Sequence, residues 1–213
     1  INGTVQIRVR GFFTINGDID GVGRGKAGQA GSGEIGVQVE GLPGFLGNSR
    51  GMDGVVRNGG RVGIIWTSPC ALTQGLYAAF PYLDITVSGN DLLGIPADLA
   101  GTSGGAGGKL GSTGNANPAT ATVVNQGGTG GDSGAGLVII SRGLAFGASG
   151  AIDLSGDDAA ATSPVTMLGQ SVYPGAGGAG APGALLILLD GSSVFIPDLG
   201  GKFTAACGNV PVN

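Results

Sequence analysis

The sequence predicts an all-β fold of glycine-rich, short-strand repeats, arranged as a β-sandwich or as β-solenoid-like coils. Helical patterns are nearly absent, because no window of about a dozen residues keeps a 3.6-residue apolar period without a glycine or proline. The 213-residue chain contains 48 glycines, yet 41% of its residues are hydrophobic and only 11% are charged. Disordered chains have low hydrophobicity and high charge, so these glycines are expected to be structural.

Strand signals recur along the chain in two patterns. Segments that alternate apolar and polar residues fit strands with one solvent-facing side, and they span residues 5–10, 35–40, 62–66 and 83–87. Two further segments, 137–140 and 185–189, are apolar on both faces. We predict that these two are interior strands.

Two separated regions of the chain resemble each other. Ile7 aligns with Ile139, and Ile19 aligns with Ile152 once one residue is inserted between the matching blocks. A one-residue insertion is what a β-bulge or an altered turn produces. Either the chain contains a degenerate repeat of strand, turn, short strand and glycine-rich return, or chance has matched Gly, Ile and Asp residues.

We expect a single domain over residues 1–213, with the degenerate repeat at about 1–60 and 127–200. Residues 66–99 form an insertion that is poorer in glycine and carries several aromatic side chains. These aromatics either fill a core that otherwise has few large side chains or form an exposed platform that binds a sugar or a protein. The candidate receptor-binding residues are Tyr77, Phe80 and Tyr82.

Three tracts are especially dense in glycine: residues 101–114, 125–136 and 175–183. They fit flexible linkers, or polyglycine-II-type helices with about three residues per turn and no internal hydrogen bonds. Helices of the second kind can bond to each other when they lie side by side.

Residues 131–134, Gly-Asp-Ser-Gly, resemble the nucleophile loop of a trypsin-like protease. A nucleophilic Ser133 needs a general base, normally histidine, and the chain has none. Its lysines, Lys26, Lys109 and Lys202, are scattered through glycine-rich contexts. We therefore predict no catalytic residue and no enzyme activity.

No cofactor or metal site is expected either. Residues 127–132 match the start of a calcium-binding nonapeptide, but one copy cannot enclose an ion and the segment fits a turn. Acidic corners such as Asp18 with Asp20 are expected to cap turns. Cys70 and Cys207 either form one disulfide or remain two buried thiols, and a zinc site needs more ligands than this chain offers.

The charge distribution indicates neither nucleic-acid binding nor membrane insertion. Seven basic and five acidic side chains fall in residues 1–61, against three basic and nine acidic in residues 62–213. No Lys/Arg cluster alternates with aromatic residues, as a nucleic-acid surface would require. The longest strictly apolar run, 184–189, is far shorter than a membrane span.

Glycine-rich tracts that lead into Val/Ile/Leu strands, followed by the Ile-Asp-Leu-Ser-Gly corner at 152–156, resemble the distal adhesins and the tail-fibre or tail-tip receptor-binding proteins of tailed bacteriophages. The resemblance implies an extracellular domain on the virion tail that binds a bacterial surface receptor, either lipopolysaccharide or an outer-surface protein. It also implies a homo-oligomer, such as a trimer, or attachment to a tail fibre. In some relatives polyglycine helices form a rigid sandwich, and the loops between them bind the receptor.

Two other classes of protein compete with this interpretation. One is a structural surface or filament subunit, whose glycine tracts pack between neighbouring copies. The other is an ice-binding protein, which would need threonines at a fixed spacing. That class ranks last because the threonines in the glycine-rich centre of the chain keep no such spacing: Thr102, Thr113, Thr120, Thr122 and Thr129.

Overall fold

A computed structural model describes residues 3–30, 86–88, 91–93, 98–107, 110–112, 122–167, 170–189 and 199–211. All secondary-structure elements in these residues are β-strands, which confirms the predicted all-β class. The strands are β1 (Thr4–Arg8), β2 (Phe12–Ile15), β3 (Asp18–Asp20), β4 (Thr86–Ser88), β5 (Asp91–Leu93), β6 (Leu110–Ser112), β7 (Thr122–Asn125), β8 (Gly136–Ser141), β9 (Gly143–Phe146), β10 (Ala151–Asp153), β11 (Val165–Met167), β12 (Gln170–Val172), β13 (Leu185–Leu189) and β14 (Phe203–Thr204).

Strands from distant parts of the chain pair in parallel. β8 lies between β1 and β13, β9 pairs with β2, and β10 lies between β3 and β14. Ile7 lies opposite Ile139, and Ile19 lies opposite Ile152, so these ladders join the residues that the sequence alignment matches.

The ladder between β2 and β9 departs from that alignment by one residue. Gly143 lies opposite Phe12. The alignment of Ile7 with Ile139, continued along both segments, matches Gly143 with Gly11 instead. A Cβ atom at Gly143 would meet the ring of Phe12. The missing side chain therefore leaves room for the ring over the Gly143 backbone, although the ring itself remains 79% exposed.

The apolar core lies on both faces of β8, all of whose residues are buried. Because side chains alternate along a strand, Leu137 and Ile139 face one cluster while Val138 and Ile140 face the other. The first cluster also contains Ile15, Leu144, Ile152 and Leu154, and the second contains Leu99. The prediction of an interior strand at 137–140 is therefore confirmed.

β13 does not behave like β8. All its residues are only half-buried, and within the described part of the chain β13 pairs with β8 alone. Its apolar side chains pack against both core clusters, and among the described strands β13 is an edge strand, so the interior strand predicted at 185–189 is not found there. The predicted strands at 35–40 and 62–66 lie outside the described residues, and 83–87 is covered only by the start of β4.

Three antiparallel hairpins complete the described strands: β4–β5, β6–β7 and β11–β12. In the residues that the structure describes, no helix has the length and apolar character needed to cross a membrane.

Candidate functional site

The site is built on backbone tracts next to the strands, of which four are rich in glycine and two, 154–160 and 205–209, contain one glycine each. We name six of them: tract A (21–30), tract B (99–107), tract C (127–135), tract D (154–160), tract E (175–184) and tract F (205–209). Tract C leads directly into β8 and tract E into β13, whereas tracts A and D follow β3 and β10.

Tracts B, C and E form a closed triangle of backbone hydrogen bonds. The N–H of Gly104 donates to Gly131 O (2.8 Å), Gly131 N–H to Gly178 O (2.9 Å), and Gly178 N–H to Gly105 O (2.8 Å). Three residues away the same triangle recurs, through Gly101, Thr102, Gly134 and Ala181. Three residues along each tract in the other direction, the Gly107 N–H donates to Gly128 O, and the Gly128 N–H donates to Gly175 O. The hydrogen bonds thus repeat every third residue.

Tract C also bonds to tracts A and D on its other sides. Gly130 N–H donates to Gln29 O at 2.9 Å in tract A, and Asp157 N–H of tract D donates to Asp132 O at 2.8 Å. Successive residues of tract C therefore face different neighbours. Six of its nine amides and six of its nine carbonyls bond to four surrounding tracts, and the tracts together form a hydrogen-bonded lattice.

Close contact between these backbones explains why glycine is needed in the lattice. A Cβ atom added at Gly131 would lie closer than 3.0 Å to the carbonyl oxygens of Asp157 and Asp158 in tract D. It would also crowd the amide nitrogen of Gly180 in tract E. Only a residue without a side chain allows three backbones to meet here.

The Gly-Asp-Ser-Gly segment is part of this lattice. Ser133 is fully buried, and its Oγ accepts a hydrogen bond from the Lys26 amide at 2.7 Å. Asp132 Oδ1 accepts one from the Gly28 amide, also at 2.7 Å. Both side chains fasten tract A to tract C, so a structural role accounts for the two residues.

We predict that Ser133→Ala lowers the free energy of unfolding by about 1–2 kcal/mol, because the half-buried Lys26 amide loses its acceptor. Chemical denaturation measures this change, with Ser149→Ala, at an exposed serine, as the matched control. A serine-directed phosphonate is expected to leave Ser133 unlabelled. Stoichiometric labelling would contradict both the structural role and the predicted lack of hydrolase activity.

Acidic side chains at the corners between strands and tracts hold turns. Asp153 Oδ1 accepts hydrogen bonds from the amide and the hydroxyl of Ser155, at 2.9 and 2.6 Å. Asp20 Oδ1 accepts one from the Val22 amide at 3.0 Å. Across the described ranges, no group of three or more metal-ligating side chains is arranged to hold an ion.

The directions of the tracts place two chain connections at the same end of the lattice. Tracts B and D run antiparallel to tracts C and E. Gly107, Gly128 and Gly175 consequently meet at one level, and the connections 108–126 and 161–174 both leave and re-enter there. We call this the hairpin end, because the two connections carry the β6–β7 and β11–β12 hairpins; the strand end, with β1, β8 and β13, lies opposite.

The two connections contact each other at the hairpin end. Asn125 Nδ2 in β7 donates a hydrogen bond to Ser163 O, which precedes β11, at 3.1 Å. Within the second connection Thr162 Oγ1 donates to Pro174 O at 3.4 Å. Tyr173, which follows β12, is 36% exposed. The described ends of the two connections are therefore in direct contact through Asn125 and Ser163.

The sequence-based site hypothesis concerns residues that the structure does not describe. Tyr77, Phe80 and Tyr82 lie outside the described residues, so the receptor-binding role of these aromatics stays a prediction. Cys207 is disulfide-bonded, and the other cysteine of the chain, Cys70, lies outside the described residues.

Sequence reasoning missed the hairpin end. The available signal was that residues 161–174 contain a single glycine and directly precede the glycine-rich tract E. No family model, curated protein or solved structure matches this chain.

Proposed function

We propose that the chain is a receptor-binding adhesin domain of a bacteriophage tail, which attaches the virion to a receptor on the bacterial surface. One observation carries the proposal: a hydrogen-bonded lattice of glycine tracts holds two hairpin connections side by side at one end. Loops positioned by a rigid scaffold are the usual place for recognition in proteins. The resemblance to phage tail adhesins supplies the class of target.

In this proposal the six tracts are polyglycine-II-type helices, and the paired strands are stacked, solenoid-like coils. Hydrogen bonds at every third residue support the first assignment, since such helices have about three residues per turn. Parallel, in-register pairing of β1 with β8 and of β3 with β10 supports the second.

The lattice suits an adhesin because its contacts are between backbones. The hydrogen bonds of the triangle join backbone atoms of tracts B, C and E themselves, so a change of hairpin sequence leaves these bonds in place. The disulfide at Cys207 is consistent with an extracellular location, since disulfides persist in oxidising environments. The strand end, opposite the hairpins, is left for a tail fibre or for other subunits of a trimer.

Replacement of residues 163–173 by a Gly/Ser segment of equal length tests the proposal. We expect the variant to keep its thermal midpoint within about 3 °C, which for a chain of this size is roughly 1 kcal/mol. Its binding to a panel of bacterial strains, measured with fluorescently labelled protein, is expected to fall at least about tenfold.

A matched control replaces the exposed turn residues Ala148 and Ser149 at the strand end by glycine, and this variant should bind like the original chain. If the original chain binds no strain and forms filaments instead, the protein is a structural subunit and the adhesin proposal is wrong.

A further inference from the structure

We infer that Asn16 is a site of spontaneous chemical modification, at which the side-chain amide is lost and a carboxylate takes its place. The modification is independent of the proposed adhesin function. Asn16 and Gly17 form the turn between β2 and β3, and both residues are exposed. An asparagine followed by glycine is especially prone to this reaction, because glycine has no side chain to hinder the approach of its own backbone nitrogen.

The reaction needs only the chain and water. The backbone nitrogen of Gly17 attacks Cγ of Asn16, a new N–C bond closes a five-membered succinimide ring, and the side-chain nitrogen leaves as ammonia with the proton of the Gly17 amide. Water then adds to one of the two ring carbonyls and breaks its bond to the ring nitrogen. Opening at one carbonyl gives aspartate. Opening at the other gives isoaspartate, in which the main chain runs through the former side chain.

The turn holds neither reacting group by a hydrogen bond. In the part of the chain that the structure describes, the Asn16 side chain and the Gly17 amide have no hydrogen-bond partner. A Cβ atom added at Gly17 would meet no other atom within 4 Å, so the ring has room to form. The turn before β10 differs, because the Gly150 amide donates to Gly147 O at 3.1 Å.

The other asparagines that the structure describes lack these features. Asn125 donates through Nδ2 at 3.1 Å, and its Oδ1 accepts a hydrogen bond from the Gln126 amide, the group that would have to attack. The Asn209 side chain donates to Asp158 Oδ1 at 2.9 Å, and the residue that follows it is the β-branched Val210. Both side chains are held, and both have a bulkier neighbour than glycine.

Asp20, close to Asn16 in the sequence, provides an internal control. It is also followed by glycine, and an aspartate-glycine pair reaches isoaspartate through the same ring. The Gly21 amide, however, is buried and donates to Asp153 O at 2.8 Å. A Cβ atom at Gly21 would lie 2.8 Å from the Leu154 side chain. A bonded amide in so crowded a place is not free to attack, so Asp20 should stay unmodified.

The test incubates the whole folded chain at physiological temperature, in mildly alkaline and in mildly acidic buffer, and follows its tryptic peptides by mass spectrometry. Peptide 11–24 contains Asn16 as its sole asparagine, which separates it from the other Asn-Gly pairs, 2–3 and 58–59. We expect this peptide to gain the mass difference between a hydroxyl and an amino group. The gain should be faster in the alkaline buffer, since the attacking nitrogen must lose its proton. Its rate should lie within about tenfold of that in a synthetic peptide 11–24.

Isoaspartate at position 16 is expected to destabilise the connection between β2 and β3. It lengthens the main chain of a short turn by a methylene group, between the buried Ile15 and the core residue Ile19. The isoaspartyl form, isolated by ion exchange, should melt at least about 2 °C below Asn16→Asp, which has the new charge but a normal main chain. Equal thermal midpoints would show that this consequence is wrong.

Gly17→Ala tests the mechanism. The Gly17 backbone is not left-handed and has open space around it, so the variant should fold, and its conversion should be about tenfold slower or more. Asn125 and Asn209, measured in the same digests, are the matched controls and should stay unconverted. Conversion of the synthetic peptide without conversion of the folded chain would overturn the inference. Equal rates at the three asparagines would overturn it as well.

Discussion

Gly131→Ala is expected to lower the free energy of unfolding by about 3 kcal/mol or more. The added methyl group would overlap backbone carbonyls of tract D and approach an amide of tract E. These atoms belong to hydrogen-bonded tracts, so they cannot move aside without breaking further bonds of the lattice. In a chain of this size the change corresponds to a thermal midpoint lowered by roughly 10 °C, which circular dichroism would detect.

The matched control lies two residues away in the same tract. Thr129 is exposed, so Thr129→Ala should change the free energy of unfolding by less than about 0.5 kcal/mol. If Gly131→Ala were as stable as this control, the close packing of tracts C, D and E would be wrong. If both variants were equally destabilised, the effect would not be specific to the backbone contacts of Gly131, and the explanation by close contact would be wrong.

Side-chain patterns allowed much of the strand structure to be predicted. The apolar run 137–140 indicated a strand buried on both faces, and the structure has β8 there. The alignment of Ile7 with Ile139 matched the register of β1 with β8, because both residues occupy the same core position. The sequence alignment placed Gly143 one residue away from its partner in the ladder, Phe12. Glycine has no side chain, so its burial pattern could not indicate the register.

The glycine tracts could not be assigned in the same way. Their sequence is compatible with linkers and with helices, and the difference lies in which backbones they bond to. Those partners come from distant parts of the chain: Gly131 bonds to Gly104 and Gly178. The three-residue spacing of Gly128, Gly131 and Gly134 was present in the sequence, but it gains meaning only once those partners are known.

The hairpin end was unpredictable for a related reason. Composition drew attention to the aromatic residues of 66–99. The juxtaposition of 108–126 with 161–174 follows instead from the antiparallel course of tracts B and D relative to C and E. The local sequence does not show in which direction one tract runs relative to its neighbours. The composition of the two connections therefore gave no sign that they lie at the same end of the lattice.

Ile139→Ala is expected to cost roughly 3–4 kcal/mol of the free energy of unfolding. Ile139 is fully buried at the centre of β8, between Ile7 of β1 and Ile187 of β13. Its truncation removes apolar contacts on both sides and leaves a cavity that neighbours held in two ladders cannot collapse to fill. Val5→Ala, at a position that is 39% exposed in β1, is the control and should cost less than about 1 kcal/mol.

The same variant tests whether the lattice and the apolar core unfold together. Tract C continues into β8 without an intervening turn, and Leu154 of tract D is part of the apolar cluster that contains Ile139. A cavity in the core should therefore weaken the lattice, giving a single transition at a lower midpoint by circular dichroism. Loss of amide protection in β8 alone, with Gly131 and Gly178 still protected against hydrogen exchange, would show that they unfold as separate units.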